Sequence, residues 1–454
     1  MKNVFEKEYV APWEKAFDRV LTPLEDFIHR QTTSGVLLML CAIVALFIAN
    51  SQWNEIYHNF LELKFVIGTE GFQLSKSVHH WINDGLMAVF FFVVGLELKR
   101  EILVGELANP KQAILPIVAA LGGMLVPVLI YIGFNTSGHT ISGWGVPMAT
   151  DIAFALGALA LLGSRVPKNL LTFLVAVAIV DDLGAVLVIA FFYTETINLF
   201  ALALAAITLL ILVSMNLGGI RNSLPYMLLG IVLWIATLKS GVHATLAGIF
   251  LAFTIPMRPK FDPIRFLVHI DQLVERIKQT YRRDENIIRN DQLRAEVSAL
   301  ERGVKLVQAP AQMLERTFHL PSAYLVIPIF SLANAGIPID WSSIGDTLTD
   351  PVSIGITAGL VLGKLIGIAG FSWIVVKMGV TSLPVDVNFK HIIGVALMGG
   401  IGFTMSIFIA ELAFAHHAQD LLMAKTGILI ASVLAGGSGF LWLYFTCDKN
   451  ADRG

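Results

Sequence analysis

Asp181 and Asp182 stand side by side in a stretch that is otherwise almost wholly apolar, from Leu170 to Val180 before them and from Leu183 to Phe192 after. A run of that length has the dimensions of a membrane helix, and an aspartate at the centre of one costs about 2.5–3.5 kcal/mol on insertion. Two together need an offsetting partner, a proton, a metal ion or water. The pair confines the chain to folds that hide carboxylates inside a bilayer, and its default reading is an ion or proton site.

Composition agrees about the solvent. The chain has 454 residues, 56% of them hydrophobic and 15% charged, with a mean hydropathy of +0.72. That is too apolar for a water-facing domain, so the expected partner is the lipid bilayer. A net charge of -2 provides no concentrated basic face for nucleic acid. Cys41 and Cys447 are the two cysteines, far apart in the chain and each in an apolar helical stretch, so they read as small membrane-facing or packing residues and not as a disulfide framework. The first thirty residues mix acids and bases up to Arg30 without the short apolar stretch and small-residue cleavage site of a removable signal, so the first apolar run is expected to be a membrane helix.

Runs long enough to span a hydrocarbon core predict twelve helices, near 32–50, 81–104, 112–133, 144–163, 169–193, 199–217, 224–238, 241–256, 318–336, 352–376, 390–412 and 423–446. An even number puts both termini on one side. With that side cytoplasmic, 27 of the 32 Lys and Arg residues fall inside, only Lys64, Lys76, Lys239 and Lys425 fall outside, and Lys364 lies within a span. The positive-inside rule therefore supports both the count and the orientation. The expected organisation is a cytoplasmic segment 1–31, spans 1–8 over 32–256, a cytoplasmic insertion 257–317, spans 9–12 over 318–446 and a cytoplasmic tail 447–454.

The insertion opens with Pro256, Pro259 and Pro263 and then alternates acids and bases at helical spacing through Glu275, Lys278, Arg282, Glu296, Glu301 and Lys305. It predicts one or two solvated amphipathic helices carrying i,i+4 ion pairs. On the outer side, β-prone residues Leu61–Ile67 and Phe72–Ser75 flank Gly68, Thr69, Glu70 and Gly71, which predicts a hairpin near 61–75. A lone hairpin is marginal in water, so its edge is a candidate dimer contact.

The chemistry lies where helical rules are broken inside the membrane. Span 4 begins Trp144-Gly145-Val146-Pro147-Met148-Ala149-Thr150-Asp151, placing a glycine and a proline just before a hydroxyl and a carboxylate. Span 11 contains Gly394 and then Met398-Gly399-Gly400-Ile401-Gly402-Phe403-Thr404-Met405-Ser406. Paired interrupted segments in two halves of a chain point to a midplane transport site, because unwound carbonyls and half-helix ends present partial charges. Close helix packing through glycine explains span 11 alone equally well. Neighbouring helix positions diverge by about 100°, so Asp181 and Asp182 require different partners. Lys364 is the one base deep inside a span, and the economical pairing gives it Asp181 while Asp182 faces an ion pathway. A fixed Lys–Asp brace satisfies the same pattern. Asp151 is placed to compensate partial charges at the breaks.

Several long strings then resemble one family. They are Trp81–Phe91 (WINDGLMAVFF), Val94–Glu101 (VGLELKRE), Ala149–Ala155 (ATDIAFA), Asp181–Ala185 (DDLGA), Leu238–Gly248 (LKSGVHATLAG) and Gly402–Ile407 (GFTMSI). Together they resemble the NhaA family of bacterial sodium/proton antiporters over nearly the whole chain, the 257–317 insertion being absent from the shorter members. That family is itself a standard example of inverted repeats with two interrupted helices, so an all-α fold with spans 4 and 11 crossing near the midplane is implied by the resemblance and not read from spacing.

The resemblance further implies residue roles. Asp182 is similar to the chief sodium and proton carrier and Asp181 to its partner paired with Lys364, with Thr150 and Asp151 at the helix crossing. A dehydrated sodium ion needs oxygen ligands, and the expected ones are Asp182 with Asp181, Thr150 or backbone carbonyls as candidates for the remainder. Glu97, Glu101, His243, Glu315 and His319 match positions around the cytoplasmic funnel and pH response. A packing histidine explains His243 as well, and a solvated helix end rich in Lys99 and Arg100 explains Glu97 and Glu101 nearly as well. The implied activity is electrogenic export of sodium, with lithium also accepted, in exchange for protons, in a bacterial inner membrane and without a cofactor. From the residues alone, a proton-coupled symporter or a cation channel stays open. An intramembrane aspartyl protease fits less well, because its two aspartates must face each other across one water and these diverge.

Overall fold

In the computed structural model of the chain, the described residues are 31–69, 72–194, 197–280, 290–338 and 344–447. The expected cytoplasmic segment 1–31 up to residue 30, the hairpin tip at Glu70 and Gly71, residues 281–289 of the insertion and the tail from residue 448 lie outside them.

The elements follow in order. Helices α1 (Gln31–Ala49) and α2 (Asn54–Glu62) lead into strands β1 (Lys64–Thr69) and β2 (Phe72–Ser77), then α3 (Met87–Leu103) and α4 (Pro110–Phe134). A 3₁₀ segment His139–Met148 precedes α5 (Ile152–Ala160), followed by α6 (Lys168–Phe192), α7 (Leu199–Leu217), α8 (Ser223–Ser240) and α9 (Leu246–Thr254). Next come α10 (Pro263–Thr280), α11 (Asp291–Val307), α12 (Pro310–Pro321), α13 (Ile327–Asn334) and α14 (Ile344–Thr349). The chain closes with α15 (Pro351–Lys377), α16 (Phe389–Met398), α17 (Phe403–Ala413) and α18 (Ala418–Thr446).

Among the described residues, six helices (α4, α6, α7, α8, α15 and α18) are long and apolar enough to cross a membrane. Three bent pairs raise this to nine: α1 with α2 at 109°, His139–Met148 with α5 at 41°, and α16 with α17 at 47°. The remaining predicted spans are shorter as regular helix than the hydropathy pattern alone shows. Helix α3 has 17 residues because a π-turn, Trp81–Leu86, precedes it. Helix α9 has 9 because Gly241, at φ 83°, ends α8 in the left-handed region and residues 241–245 stay irregular. Helices α12 and α13 are separated by a π-turn at Ser322–Val326. Exposed apolar side chains such as Phe200, Ile207, Leu210 and Leu217 on α7 are tolerable against lipid and not against water.

The chain divides into two compact units. The first comprises residues 1–83, 109–193 and 323–454. Within it, α4 and α15 approach backbone to backbone: a Cβ added at Gly367 would fall 2.2 Å from the Gly122 carbonyl oxygen. Small residues allow that approach in lipid, where packing and not hydrophobicity drives association. Helix α15 is also locally widened, by π-turns at Gly359–Gly363 and Leu365–Ala369 that flank Lys364. The strands of this unit pair antiparallel with Lys64 opposite Ser77 and Thr69 opposite Phe72. Their start is later than the alternation predicts, because Leu61 and Glu62 finish α2. The Trp81 indole N–H donates to the Phe65 carbonyl at 3.1 Å, tying the hairpin to the start of the following helix. Phe65, Val66 and Ile67 on β1 are exposed.

The second unit comprises residues 84–108 and 194–322. Its core draws Phe92 and Leu96 from α3, Leu212 from α7, Tyr226 and Leu233 from α8, Leu251 from α9 and Leu314 from α12. The short helix α9 ends inside the protein, where its last carbonyls have no intrahelical donors. The Lys99 ammonium of α3 supplies them, donating to the carbonyls of Phe253 (2.7 Å), Ala252 (3.5 Å) and Ile255. A cation there also meets the negative end of the helix dipole. The Ala252 carbonyl also accepts from the Ile255 N–H at 3.3 Å, so replacing Lys99 by Met takes the donor from the Phe253 and Ile255 carbonyls, and the variant is expected to lose about 2 kcal/mol. A lower melting temperature in detergent, partly restored by Lys99→Arg, would register the loss.

Candidate functional site

The buried acids gather where two bent segments touch. Asp151, the N-cap of α5, accepts from its own helix through the Phe154 N–H at 2.9 Å. Its other oxygen accepts from the Thr404 N–H at 3.0 Å, in the first turn of α17, and from the Thr404 hydroxyl. One carboxylate thus caps two helix N-termini, each carrying about half a positive charge. The Asp151 N–H in turn donates to the Ile401 carbonyl at 2.7 Å, and the Ser406 hydroxyl donates to the Val146 carbonyl at 2.9 Å. The breaks at 149–151 and 399–402 are therefore stitched together by the backbone groups that a continuous helix would have used internally.

The opposite charges meet the opposite ends. Lys364, fully buried, donates to the carbonyl of Met148, where the 3₁₀ segment stops, and to Oδ2 of Asp181. Thr150 lies 3.0 Å from that same oxygen and 2.8 Å from the Gly399 carbonyl, the C-cap of α16. A hydroxyl has one proton, so it serves one of these acceptors at a time. The second oxygen of Asp181, Oδ1, is buried with no hydrogen-bond donor among the described residues. Asp182 follows on α6 and is 2% exposed. The centre thus holds Asp151 and the Asp181–Lys364 pair, removed from solvent, with Asp182 buried at the next position of α6. Such an excess of buried acid is the electrostatic condition for holding a proton or a small cation. Oxygen ligands, which is what these groups offer, suit a hard cation.

A second group of polar residues sits within the other unit. His319 Nδ1 of α12 lies 3.2 Å from Glu97 Oε1 of α3, and Arg100 joins Glu315 at 3.1 Å and Glu101 at 3.0 Å. Glu101 also accepts from the Glu106 N–H at 3.1 Å. Four of the five residues singled out for the pH response are thereby linked on α3 and α12, around an arginine that sequence reasoning had treated only as a neighbour. His243 lies elsewhere, half-buried in the irregular turn before α9, with its carbonyl accepting from the Leu246 N–H.

The family described as Na+/H+ antiporter 1 matches residues 25–443. The chain is 49% identical to the Na(+)/H(+) antiporter NhaA 1 of Saccharophagus degradans, over 97% of this chain and 95% of that one. It is 50% identical to the Na(+)/H(+) antiporter NhaA of Sulfurimonas denitrificans, over 96% and 98%. It is 46% identical to that of Syntrophobacter fumaroxidans, over 95% and 92%. The chain belongs to the NhaA family.

Membership makes it a multi-pass bacterial membrane transporter and not an enzyme, which removes the peptidase reading. Within this NhaA chain, sequence reasoning named Thr150, Asp151, Asp181, Asp182 and Lys364 but missed their supports. Thr404 is one, and its position just after Gly402 at a helix restart was the available signal. The carbonyls of Met148 and Gly399 are others, and no side-chain pattern marks a carbonyl.

Two outcomes test this geometry. Asp181→Asn strands the Lys364 charge, and breaking a buried pair costs about 3–5 kcal/mol. The single variant is therefore expected to melt well below wild type, and the double variant Asp181→Asn/Lys364→Met to recover part of the difference. The second concerns Glu315, whose carboxyl is pushed above its ordinary 4.5 by burial; Arg100 lowers it, Glu97 raises it, His319 lowers it and Glu101 raises it. The raised folded value favours the protonated form, so the stability this group contributes is complete below 4.5 and lost as pH rises through that folded value. Glu315→Gln is expected to melt above wild type at about pH 8 and to show no advantage at about pH 4.

Proposed function

We propose that the chain exports sodium in exchange for protons across the bacterial inner membrane, with Asp182 as the carrier of either ion. The observation that carries this reading is the buried carboxylate pair: Asp182 next to an Asp181 that holds Lys364 through one oxygen while its other oxygen has no donor among the described residues. The curated relatives are named as Na+/H+ antiporters along nearly their full lengths, which supports the same exchange here.

In this reading twelve spans cross the membrane with both termini cytoplasmic. The segments 144–163 and 390–412 are interrupted helices of an inverted repeat, crossing near the midplane. Sodium, stripped of water, takes oxygens from Asp182, Asp181 and Thr150. A proton on Asp182 removes the charge that holds the metal ion, so the two exclude each other. Cytoplasmic alkalinity strips the proton and admits sodium; the outer face, richer in protons, reverses the exchange. Lys364 and Asp181 titrate as a coupled pair with this site, which lets more protons enter than sodium ions leave. Lithium, smaller and equally oxygen-seeking, is accepted. Glu97, Glu101, Glu315, His319 and His243 tune the response to cytoplasmic pH. No cofactor takes part, and two copies pair through the exposed edge of the β1–β2 hairpin.

Exchange in reconstituted vesicles tests the assignment. An imposed sodium gradient is expected to drive opposite proton movement in wild type, and Asp182→Asn to abolish it. Sodium-driven proton movement surviving in Asp182→Asn would remove Asp182 from the mechanism. Current without obligatory exchange would make the chain a channel, and proton flow in the same direction as sodium a symporter.

A further inference from the structure

A second set of ligand-type side chains lies outside the acidic centre, within the first unit. His139 opens the 3₁₀ segment, immediately after Gly138, whose φ of 76° turns the chain. His417 is the N-cap of α18 and Asp420 sits three residues later, on the same face of its first turn. The rings of His139 and His417 stack at 4.4 Å with 17° between their planes. His139 Nδ1 stands 2.6 Å from Asp420 Oδ2. That oxygen is buried, and among the described residues the His139 ring nitrogen is the ion-pair partner it faces.

One ligand atom from each of the three residues lies within 4.8 Å of the others. A tetrahedral zinc ion holds imidazole nitrogen and carboxylate oxygen at about 2.0–2.2 Å, with neighbouring ligands roughly 3.3 Å apart. Rotation of the two exposed imidazole rings closes the difference. Their exposure also gives a metal ion access and leaves a fourth position for water. Two imidazoles and one carboxylate suit zinc and its neighbours in the first transition row, in contrast to the all-oxygen centre around Asp182.

We infer that His139, His417 and Asp420 bind a divalent transition metal ion, with zinc as the probe, tying the start of the 3₁₀ segment to the start of α18. Calorimetric titration of zinc chloride into the chelator-treated full chain, freed of any polyhistidine tag, is expected to show one saturable site. His139→Ala and His417→Ala, both on exposed rings, are each expected to weaken it by on the order of tenfold or more while the variants keep the wild-type helical circular-dichroism spectrum. Zinc is also expected to raise the melting temperature of wild type and not of either variant. No saturable uptake by wild type, or uptake by both variants at wild-type affinity and stoichiometry, would overturn the assignment. Neither outcome touches sodium/proton exchange, which these measurements do not read.

Discussion

An ammonium group sealed from water must be matched by charge, and the ion pair between Lys364 and Asp181 is the constraint on which the first unit is arranged. Desolvating each ion costs several kcal/mol, which geometry and extra acceptors must offset. The chain meets this by bringing three kinds of group to one point: a carboxylate from α6, a carbonyl from the end of the 3₁₀ segment, and a lysine from a stretch of α15 bounded by π-turns. The close approach at Gly122 and Gly367 belongs to the same solution, since it lets α4 lie against the widened part of α15.

The broken segments then follow a simple electrostatic rule. Helix ends that carry partial positive charge, at Phe154 and Thr404, face the Asp151 carboxylate. Ends that carry partial negative charge, at Met148 and Gly399, face the Lys364 ammonium and the Thr150 hydroxyl. Unsatisfied backbone groups cost several kcal/mol each at membrane depth. At these bends side chains, together with the Asp151 N–H donating to the Ile401 carbonyl, take over the bonds a regular helix would make. Thr150 and Asp151, adjacent in sequence, serve ends of opposite sign, which ties the geometry of one break to that of the other.

Much of this was legible because it is written in side-chain chemistry. Acids and a lysine in apolar runs announce themselves, and their need for partners points to the Lys364–Asp181 pairing that the structure contains. The hairpin was legible from alternation around Gly68, though not its start, because Leu61 is as apolar as a strand residue and instead closes the buried face of α2. The carbonyl partners were not legible, since every residue has one. Nor was the cap that Lys99 forms on α9: within the LELKRE string it reads as one charge among several at a helix end. Hydropathy also hid the irregular backbone of the 241–256 run, where apolar residues continue through a turn that Gly241 sets.

Lys99 and Lys364 show how the same residue type is put to two uses. Lys99 is held by carbonyls at the end of α9, a site with about half a negative charge. That is enough to orient an ammonium and satisfy the helix, and a protein seeking only a brace needs nothing more. Lys364 has a carbonyl too, yet it is given a whole carboxylate, with a second one next in sequence. A structural brace does not require that second acid, whose burial carries a desolvation cost of its own. That second buried carboxylate is what sets the surroundings of Lys364 apart from the carbonyl cap around Lys99.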